Sequence, residues 1–522
     1  MHVIITLAGH SRRFKDAGYS EPKFKIVIDG QTMLERVVGM YAYTDHFHFV
    51  INQEQVNEDP ALVSWLEKIA PRVDVVVIPP HELGPVVSAL SVTNIPNEQP
   101  VIISYCDFYV RWNYQAFLND VVGWDAAIPA FLGFHPASFG DTYYAYMRVK
   151  DNSMLELREK KSFTDRRHQE HASAGIYYFR EWQLFKNYGD RLLKRGFGDL
   201  PEGYVSLIAN LLVSDGLNIL VPRVDKFICW GTPQDLQQYI FWSDFFNISA
   251  RANSAYTASM ITNQTNLLPM AGRGRRFREQ GFKSGKPMIS LGGEPMVLRA
   301  CKSFPPAGRW VFMAREEDAL RLPLEKIFDE GLPGLSTVLG VKGETSGQAA
   351  TCLLAKDYIP EDDSLFIASC DYQTVYSEAD WAEIIEDETI DAVVWTTRLG
   401  ANLTKDPRAF GYCVIAENGI DVKKIVEKDV ISDCPENDPM ILGSFWFRRA
   451  EDFFEMAQRS IDEGISVAGE HYVANAMNLM INDGKRVAVF SVEKWISFGD
   501  PFELDIYFYW ADFFAEREIA RA

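Results

Sequence analysis

The chain has little positive charge and few cysteines for its 522 residues. A formal net charge of −20 excludes a general binder of nucleic acids or anionic membranes, since either needs a basic face. The seven cysteines form no Cys-x-x-Cys pair, so neither a zinc knuckle nor a disulfide framework is indicated. No apolar run approaches the roughly eighteen residues of a membrane helix, and the N-terminal run is too short for a signal peptide. A cytoplasmic protein without membrane insertion is expected.

What is present is the composition of an ordinary globular protein, with 47% hydrophobic and 24% charged residues. The length is too great for one ordinary core and predicts two or more domains. Because the chain is acidic overall, any phosphate-binding site must be a local island of positive charge.

One such island lies at residues 268–277, which read LPMAGRGRRF. Its two glycines let the backbone approach a phosphate closely, and its arginines and the downstream Lys286 supply positive charge. A Walker A loop would need Gly-Lys-Ser/Thr, whereas Pro287 follows Lys286 here. The stretch therefore predicts a triphosphate-holding loop that differs from an ATPase P-loop.

The same stretch occurs a second time. Residues 7–14 read LAGHSRRF, with Lys23 downstream, and further anchors recur in the same order along both halves of the chain. These anchors pair Asp107 with Asp371, Glu159 and Lys160 with Glu427 and Lys428, Gly175 with Gly443, and Glu202 with Glu470. This repeated order of motifs within the chain predicts two tandem copies of one domain.

The predicted organisation is a domain at 1–246, a polar linker at 247–264 and a second domain at 265–522. Short β-rich runs alternate with helical patterns in each half, which predicts an α/β fold with a mostly parallel sheet and ligands at the carboxyl ends of its strands. The predicted strands are 46–51, 73–78, 101–104, 310–313, 336–341 and 364–369, and the clearest helical patterns are 34–42 and 320–328.

The ordered motifs resemble the sugar-phosphate nucleotidylyltransferases. They are Ala-Gly-x-Gly-x-Arg with a downstream lysine, a strand ending in Asp, Glu-Lys, a Gly before aromatics, and Gly-Thr-Pro-x-Asp-Leu. Residues 467–473, VAGEHYV, resemble more closely the branch that serves capsule and surface-polysaccharide synthesis. The resemblance covers nearly all of each repeat. It implies two tandem nucleotidyltransferase-like domains of the Rossmann-like, GT-A type.

The activity implied is that of a sugar-phosphate nucleotidylyltransferase, or pyrophosphorylase. Such an enzyme joins a nucleoside triphosphate to a sugar phosphate or polyol phosphate with Mg²⁺, releases pyrophosphate and leaves a nucleotide-activated donor. A phosphate oxygen is already nucleophilic, so the protein has mainly to align it and stabilise charge. The partners expected are these two small molecules and no nucleic acid, and a homo-oligomer is left open.

The resemblance also assigns roles to single positions in the second repeat. The implied catalytic residues are Arg276, Lys286 and Asp371, and Asp371 also holds the metal. The implied nucleotide-binding residues are Ala271, Gly272, Arg273, Gly274, Gly347 and Gln348. The implied substrate-binding residues are Glu427, Lys428, Gly443 and Glu470, although Glu427 and Lys428 also fit a plain surface ion pair. A second site in the first repeat would use Gly9, Arg13, Lys23, Asp107, Glu159 and Lys160.

Cys229 and Ser497 depart from the family pattern. Many members carry a second metal-binding Asp at this position, two residues before the Gly of Gly-Thr-Pro. Asp500 and Glu470 are the candidates to replace it, and the sequence does not choose between them. Otherwise Mg²⁺ would be held by one carboxylate together with triphosphate oxygens and water.

The two repeats are not expected to be equivalent. Ser11 stands where Gly274 provides the second loop glycine, and a side chain there restricts the backbone. Pro85 replaces Gln348, which removes an amide that could hydrogen-bond a base. The second repeat is therefore predicted to be catalytic and the first to be partly degenerate.

Two other classes compete with this interpretation. Loss of the second Asp from both repeats fits a non-catalytic nucleotide-binding or scaffolding protein, and a glycosyltransferase would share the general fold but usually needs Asp-x-Asp. His46 and His48 alternate on a predicted strand. Without an identifiable third ligand they are interpreted as structural residues.

Overall fold

The computed structural model describes residues 1–140, 143–252, 261–398 and 405–521. The chain divides into two compact units. Unit 1 is Met1–Ser243 with Asp512–Ala522, and unit 2 is Asp244–Ala511. Of the predicted linker, residues 247–252 are the end of a helix and residues 261–264 begin a strand, while 253–260 lie outside the described residues.

Unit 1 alternates strands and helices along the chain. Its strands are β1 (His2–Thr6), β2 (Val27–Ile28), β3 (Gln31–Thr32), β4 (His46–Asn52), β5 (Val73–Ile78), β6 (Val101–Ser104), β7 (Phe108–Arg111), β8 (Ala126–Ala127), β9 (Ala130–Phe131), β10 (Ala145–Lys150), β11 (Ser153–Glu159), β12 (His171–Ser173), β13 (Ile176–Phe179), β14 (Ile219–Leu220) and β15 (Lys226–Cys229). Its helices are α1 (Arg12–Asp16), α2 (Met33–Val38), α3 (Gln53–Glu58), α4 (Leu62–Leu66), α5 (Pro85–Leu90), α6 (Tyr114–Asp120), α7 (Trp182–Arg195), α8 (Leu207–Ser214) and α9 (Pro233–Ala252), whose last turns belong to unit 2.

The main sheet of unit 1 has the order β5-β4-β1-β6-β13-β8-β14-β11-β10-β12-β9. Strands β5, β4, β1 and β6 are all parallel, and β13 joins β6 in the antiparallel sense. Alternate residues of β1 enter two separate hydrophobic clusters, because each face of the sheet is covered: Val3 lies in one and Ile4 in the other. Burial on both faces explains why these strands read as continuous apolar runs.

Unit 2 repeats this alternation. Its strands are β16 (Ile261–Pro269), β17 (Ser290–Leu291), β18 (Glu294–Pro295), β19 (Ala307–Arg315), β20 (Leu335–Val341), β21 (Ser364–Ile367), β22 (Tyr372–Val375), β23 (Ala392–Thr397), β24 (Gly411–Ile415), β25 (Val422–Glu427), β26 (Met440–Phe447), β27 (Val487–Ser491) and β28 (Lys494–Ser497). Its helices are α10 (Arg275–Glu279), α11 (Met296–Cys301), α12 (Glu316–Arg321), α13 (Leu324–Gly331), α14 (Gln348–Leu353), α15 (Glu378–Glu386), α16 (Ala450–Asp462), α17 (Val473–Asn482) and α18 (Pro501–Arg521), which ends in unit 1.

The main sheet of unit 2 has the order β20-β19-β16-β21-β26-β23-β27, and β24 pairs with both β25 and β26. Strands β20, β19, β16 and β21 are parallel, and β26 is antiparallel to β21. This is the same succession as the first seven strands of the unit 1 sheet. The predicted α/β class, with a parallel core of strands in each half, is confirmed.

Local chemistry sets where several helices begin and end. Thr32 accepts a hydrogen bond from the Glu35 backbone N–H, and Glu35 accepts one from the Thr32 N–H, so a capping box starts α2. The helix predicted at 34–42 is shorter than expected, because α2 ends before Gly39. The helix predicted at 320–328 is two helices, α12 and α13, since Pro323 cannot continue the first.

None of the helices in the described ranges combines the length and apolar character needed to cross a bilayer.

Two glycines allow a matched test of backbone packing in unit 2. Gly334 has φ +89°, and a Cβ there would lie 2.5 Å from the Ala307 carbonyl oxygen, whereas Gly484 has φ +84° and open space around it. In both alanine variants the new side chain must adopt a left-handed backbone conformation, which costs about 1 kcal/mol. Only in Gly334→Ala must the neighbouring backbone at Ala307 also move. We expect Gly334→Ala to lower the free energy of unfolding by at least about 2 kcal/mol more than Gly484→Ala, measured by urea denaturation. Equal losses would contradict the packing described.

Candidate active site

The glycine loop of unit 2 joins the end of β16 to the start of α10. Gly274 stands before the helix with φ 55° and ψ 40°, in the left-handed region. A Cβ on Gly274 would lie 3.1 Å from the Cβ of Lys286, so the glycine lets the loop and the lysine approach each other closely. Arg273, within the loop, pairs with Glu344 at 2.7 Å.

Lys286 and Asp371 form an ion pair directly beside this loop. Lys286 Nζ lies 2.5 Å from Asp371 Oδ2 and donates to the Gly499 carbonyl at 3.0 Å. Burial opposes both charges, but the Asp371 carboxylate outweighs it and raises the pKa of Lys286. Lys286 and a 2.6 Å hydrogen bond from Ser369 likewise lower the pKa of Asp371 despite its burial. Both groups are therefore ionised at neutral pH.

A second group of charges surrounds the turn at Gly499. Asp500 lies 3.3 Å from Arg276 Nη1 and 2.7 Å from Lys405 Nζ. Glu503 lies 2.6 Å from the same lysine and accepts from the Ser497 hydroxyl at 2.7 Å. Sequence reasoning named Arg276 and Asp500 but missed Lys405 and Glu503.

Glu503 lies closer to the ion pair than its position in sequence suggests. A Cβ placed on Gly499 would be 3.0 Å from Glu503 Oε2 and 3.7 Å from Asp371 Oδ2, so the two carboxylates flank this glycine. The signal was available in the sequence, because Glu503 occupies the acidic position of the Gly-Thr-Pro-x-Asp-Leu motif, as Asp235 does in the first half. Glu470 instead accepts a 2.5 Å hydrogen bond from the Tyr472 hydroxyl.

Gly347 and Gln348 begin α14 against the turn that precedes α17. Gly347 has φ +135°, and a Cβ there would lie 2.5 Å from both the N and the O of His471. The His471 N–H donates to the Ser346 carbonyl at 2.8 Å, and its carbonyl accepts from Ala349 at 3.0 Å. Residues predicted for the nucleotide therefore adjoin Glu470, which was predicted for the other substrate.

Glu427 and Lys428 lie at the end of β25. Burial raises the pKa of Glu427 to about 7, and the neighbouring Lys428 only partly offsets this. Lys428 has φ 59° and donates from Nζ to the Ala409 carbonyl at 2.6 Å. Gly443, in β26, also has a positive φ, of 82°. A carboxyl that titrates near neutrality is typical of functional sites.

In unit 1, the six residues predicted for a second site line one cavity of about 650 Å³. Lys23 Nζ lies 2.8 Å from Asp107 Oδ2, as Lys286 lies beside Asp371 in unit 2. Lys23 lowers the pKa of Asp107 against the effect of burial, and burial raises the pKa of Glu159. The lining residues of the predicted site are Gly9, Arg13, Lys23, Asp107, Glu159 and Lys160.

Ser11 does not change the shape of the unit 1 loop. It has φ 52° and ψ 31°, close to the angles of Gly274, and so adopts the left-handed conformation at a cost of about 1 kcal/mol. Pro85 is the first residue of α5, a position where its missing N–H is not needed. Ser11 and Gly274 therefore differ in their side chains, and the predicted restriction of the backbone at Ser11 does not change its backbone angles.

Parts of the chain are similar to known proteins. The family model of the MobA-like NTP transferase domain matches residues 3–167, which lie in unit 1. The Bifunctional protein GlmU of Methanocaldococcus jannaschii is 22% identical over 238 residues, which is 46% of this chain and 52% of that protein. The chain thus spans about half the length of this curated relative.

Solved structures also resemble the chain. A nucleoside-diphosphate-sugar pyrophosphorylase from Vibrio cholerae RC9 is 20% identical, with a TM-score of 0.38, over 46% of this chain and 98% of that chain. The inositol-1-phosphate CTP transferase from T. maritima is 15% identical, with a TM-score of 0.36, over 47% of this chain and 94% of that chain.

The raised pKa of Glu427 predicts a pH-dependent stability. Between about pH 4.5 and 7 the unfolded chain releases this proton while the folded protein keeps it, so the free energy of unfolding falls as pH rises. We expect Glu427→Gln to remove about 3 kcal/mol of this fall, measured by urea unfolding from pH 4.5 to 8. The control is Glu383→Gln, at an exposed position on α15. Identical pH profiles for wild type and Glu427→Gln would contradict the assignment.

Proposed function

We propose that the protein is a cytoplasmic nucleotidyltransferase that joins a nucleoside triphosphate to a sugar phosphate or polyol phosphate, releasing pyrophosphate. The product would be a nucleotide-activated donor for surface-glycan or capsule synthesis. The observation that carries this proposal is the ionised Lys286–Asp371 pair beside a left-handed glycine loop at the carboxyl ends of parallel strands. The match of residues 3–167 to an NTP transferase domain supports nucleotidyl transfer as the chemistry.

We also infer that the two halves are tandem copies of one domain, with the limits 1–246 and 265–522. The shared strand order supports this inference. So does the recurrence of the lysine–aspartate pair, since Lys23 and Asp107 occupy in unit 1 the places that Lys286 and Asp371 occupy in unit 2.

The reaction requires little covalent chemistry from the protein. A phosphate oxygen of the acceptor attacks the α-phosphorus, the bond to the bridging oxygen breaks, and pyrophosphate leaves. Backbone amides of residues 272–276 would hold the triphosphate, while Arg276 and Lys286 would stabilise the charge on the phosphoryl and leaving oxygens. Arg276 has an exposed side chain and can turn from Asp500 toward a bound anion.

The carboxylates around Gly499 fit a magnesium ion. Asp371 is ionised and, with Glu503, offers oxygen ligands of the kind this ion prefers. Bound Mg²⁺ supplies further neutralisation of triphosphate charge. Asp371 would hold it. Glu503 pairs with Lys405 and Asp500 with both Arg276 and Lys405, but Glu503 flanks Gly499 together with Asp371 and would therefore replace the missing second Asp better.

Glu427 and Lys428 would bind the acceptor. A carboxyl with a pKa near 7 accepts hydrogen bonds from sugar hydroxyls once it is ionised, and the Lys428 ammonium favours a phosphate. Glu470 and Tyr472, joined by a hydrogen bond, lie on the neighbouring turn and would complete the acceptor side.

A second activity in unit 1 is favoured by one observation. The cavity there gathers all six residues of the predicted second site, and the family match at residues 3–167 covers all six. Unit 1 would then act on another phosphorylated substrate, because Pro85 replaces the base-side amide of Gln348.

Matched lysine variants test which unit carries nucleotidyl transfer. We expect Lys286→Ala to lower turnover by about 10²- to 10³-fold, because it removes a charge-stabilising group, and Lys23→Ala to keep most of it. The control is Lys342→Ala, whose exposed side chain pairs with Glu316. The measurement is pyrophosphate release with each nucleoside triphosphate against a panel of sugar and polyol phosphates. The reverse pattern would place this activity in unit 1. If the protein binds a nucleotide but no combination of triphosphate and acceptor releases pyrophosphate, the non-catalytic alternative is favoured.

Carboxylate variants test the metal site. We expect Asp371→Ala to abolish turnover and Glu503→Gln to raise the Mg²⁺ concentration needed for half-maximal activity by about tenfold. Asp500→Asn should change this Mg²⁺ concentration less. Glu388→Gln, at an exposed position, serves as the control. Full activity of Asp371→Ala in the presence of EDTA would rule out this mechanism.

A further inference from the structure

Three histidines meet at the amino ends of the parallel strands in unit 1. His2 opens β1 and pairs in register with His46, which opens β4. His48 lies two residues further along β4, on the same face of the sheet, and pairs in register with Asp74 of β5. The pleat of three adjacent strands therefore places all four side chains on one face.

The four side chains are close enough to act on one small ion. The three histidines each offer a ring nitrogen, and these atoms lie within 4.8 Å of one another. His2 Nδ1 is 2.9 Å from His48 Nε2. The Asp74 carboxylate is 2.8 Å from His46 Nε2 and 3.4 Å from His48 Nδ1. Asp74 also accepts a 2.7 Å hydrogen bond from Asn94, which fixes its orientation.

Burial distinguishes this cluster from a chance surface grouping. The side chain of His48 is fully buried, and its Nδ1 has no hydrogen-bond partner, with Asp74 at 3.4 Å. A buried polar nitrogen in this state costs free energy unless something satisfies it. His46 and Asp74 are 33% and 36% exposed, so solvent reaches the cluster from one side.

We propose that His2, His46 and His48 bind a divalent transition-metal ion of the Zn²⁺ class, with Asp74 orienting the rings of His46 and His48. Neutral imidazole is a preferred ligand for such ions, and three histidines with an open fourth position are a common ligand set. A carboxylate that accepts the remaining ring N–H fixes each ring and makes it more basic. Mg²⁺ is not expected here, since it prefers oxygen ligands.

The role assigned to this ion is structural. The cluster lies at the amino ends of β1 and β4, whereas the cavity of unit 1 includes Thr6 and Ala8 at the carboxyl end of β1. An ion there would join β1 and β4 at their amino ends, and the cavity lies at the opposite, carboxyl ends of the strands. The proposal does not depend on the proposed nucleotidyl transfer.

Sequence reasoning missed this site because it lacked a third ligand for His46 and His48. The third ligand, His2, is distant in sequence and is brought close only by the parallel pairing of β1 with β4. The proposal therefore differs from the interpretation of His46 and His48 as structural residues without a metal.

The test uses the full-length protein without an affinity tag, stripped of metal with a chelator. Titration with ZnCl₂ should show one tight equivalent, and Co²⁺ should give the visible absorption of a low-coordinate site with nitrogen ligands. The ion should raise the thermal unfolding midpoint of unit 1 by at least about 2 °C. We expect His2→Gln and His46→Gln each to weaken Zn²⁺ binding by about 10- to 100-fold and to lose the Co²⁺ spectrum.

Three control variants separate this site from others on the chain. His168→Gln removes a histidine outside the cluster and should bind Zn²⁺ as wild type does. Asp107→Ala and Asp371→Ala remove the carboxylates of the proposed active sites and should also keep the tight equivalent. Both His2 and His46 are partly exposed, so their variants are expected to fold, as a far-ultraviolet circular dichroism spectrum would check. No tight equivalent in wild type, or unchanged binding in His2→Gln and His46→Gln, would overturn the proposal.

Discussion

A lysine and an aspartate hold each other charged at the carboxyl ends of the parallel strands in each unit. In unit 2, Lys286 contacts Asp371 and the Gly499 carbonyl and lies close to the loop glycine Gly274. The two side chains are only 17% and 22% exposed, so removing one member leaves the other charge without its partner. The glycine loop, the strand end and the Gly499 turn are therefore positioned by one ion pair, and the charges around Asp500 and Glu503 are arranged about it.

The strands could be predicted well because each is a short apolar run bounded by polar or turn residues. Residues 73–78 and 101–104 are strands with the predicted bounds, and the predicted strand at 46–51 extends by one residue. Helix ends were harder to predict, since they depend on single residues: Gly39 ended one pattern early and Pro323 divided another. Periodicity locates an element, but capping chemistry sets its limits.

The candidate site was predictable where a local motif marks a residue, as for Lys286 and Asp371, which the structure brings into contact. It was not predictable where the partner comes from a distant segment. Lys405 reaches Asp500 and Glu503 from another part of unit 2, and His2 reaches His48 only through the register of two parallel strands. Such pairings depend on strand order and register, which a single sequence does not specify.

The short bridge between Gly347 and His471 has a mechanical consequence. Two hydrogen bonds join the start of α14 to the turn before α17, and Gly347 packs directly against the backbone of His471. A shift of either segment would strain or break these two hydrogen bonds, so we expect the two segments to move together. A displacement at the start of α14 would then carry the turn before α17 with it inside unit 2.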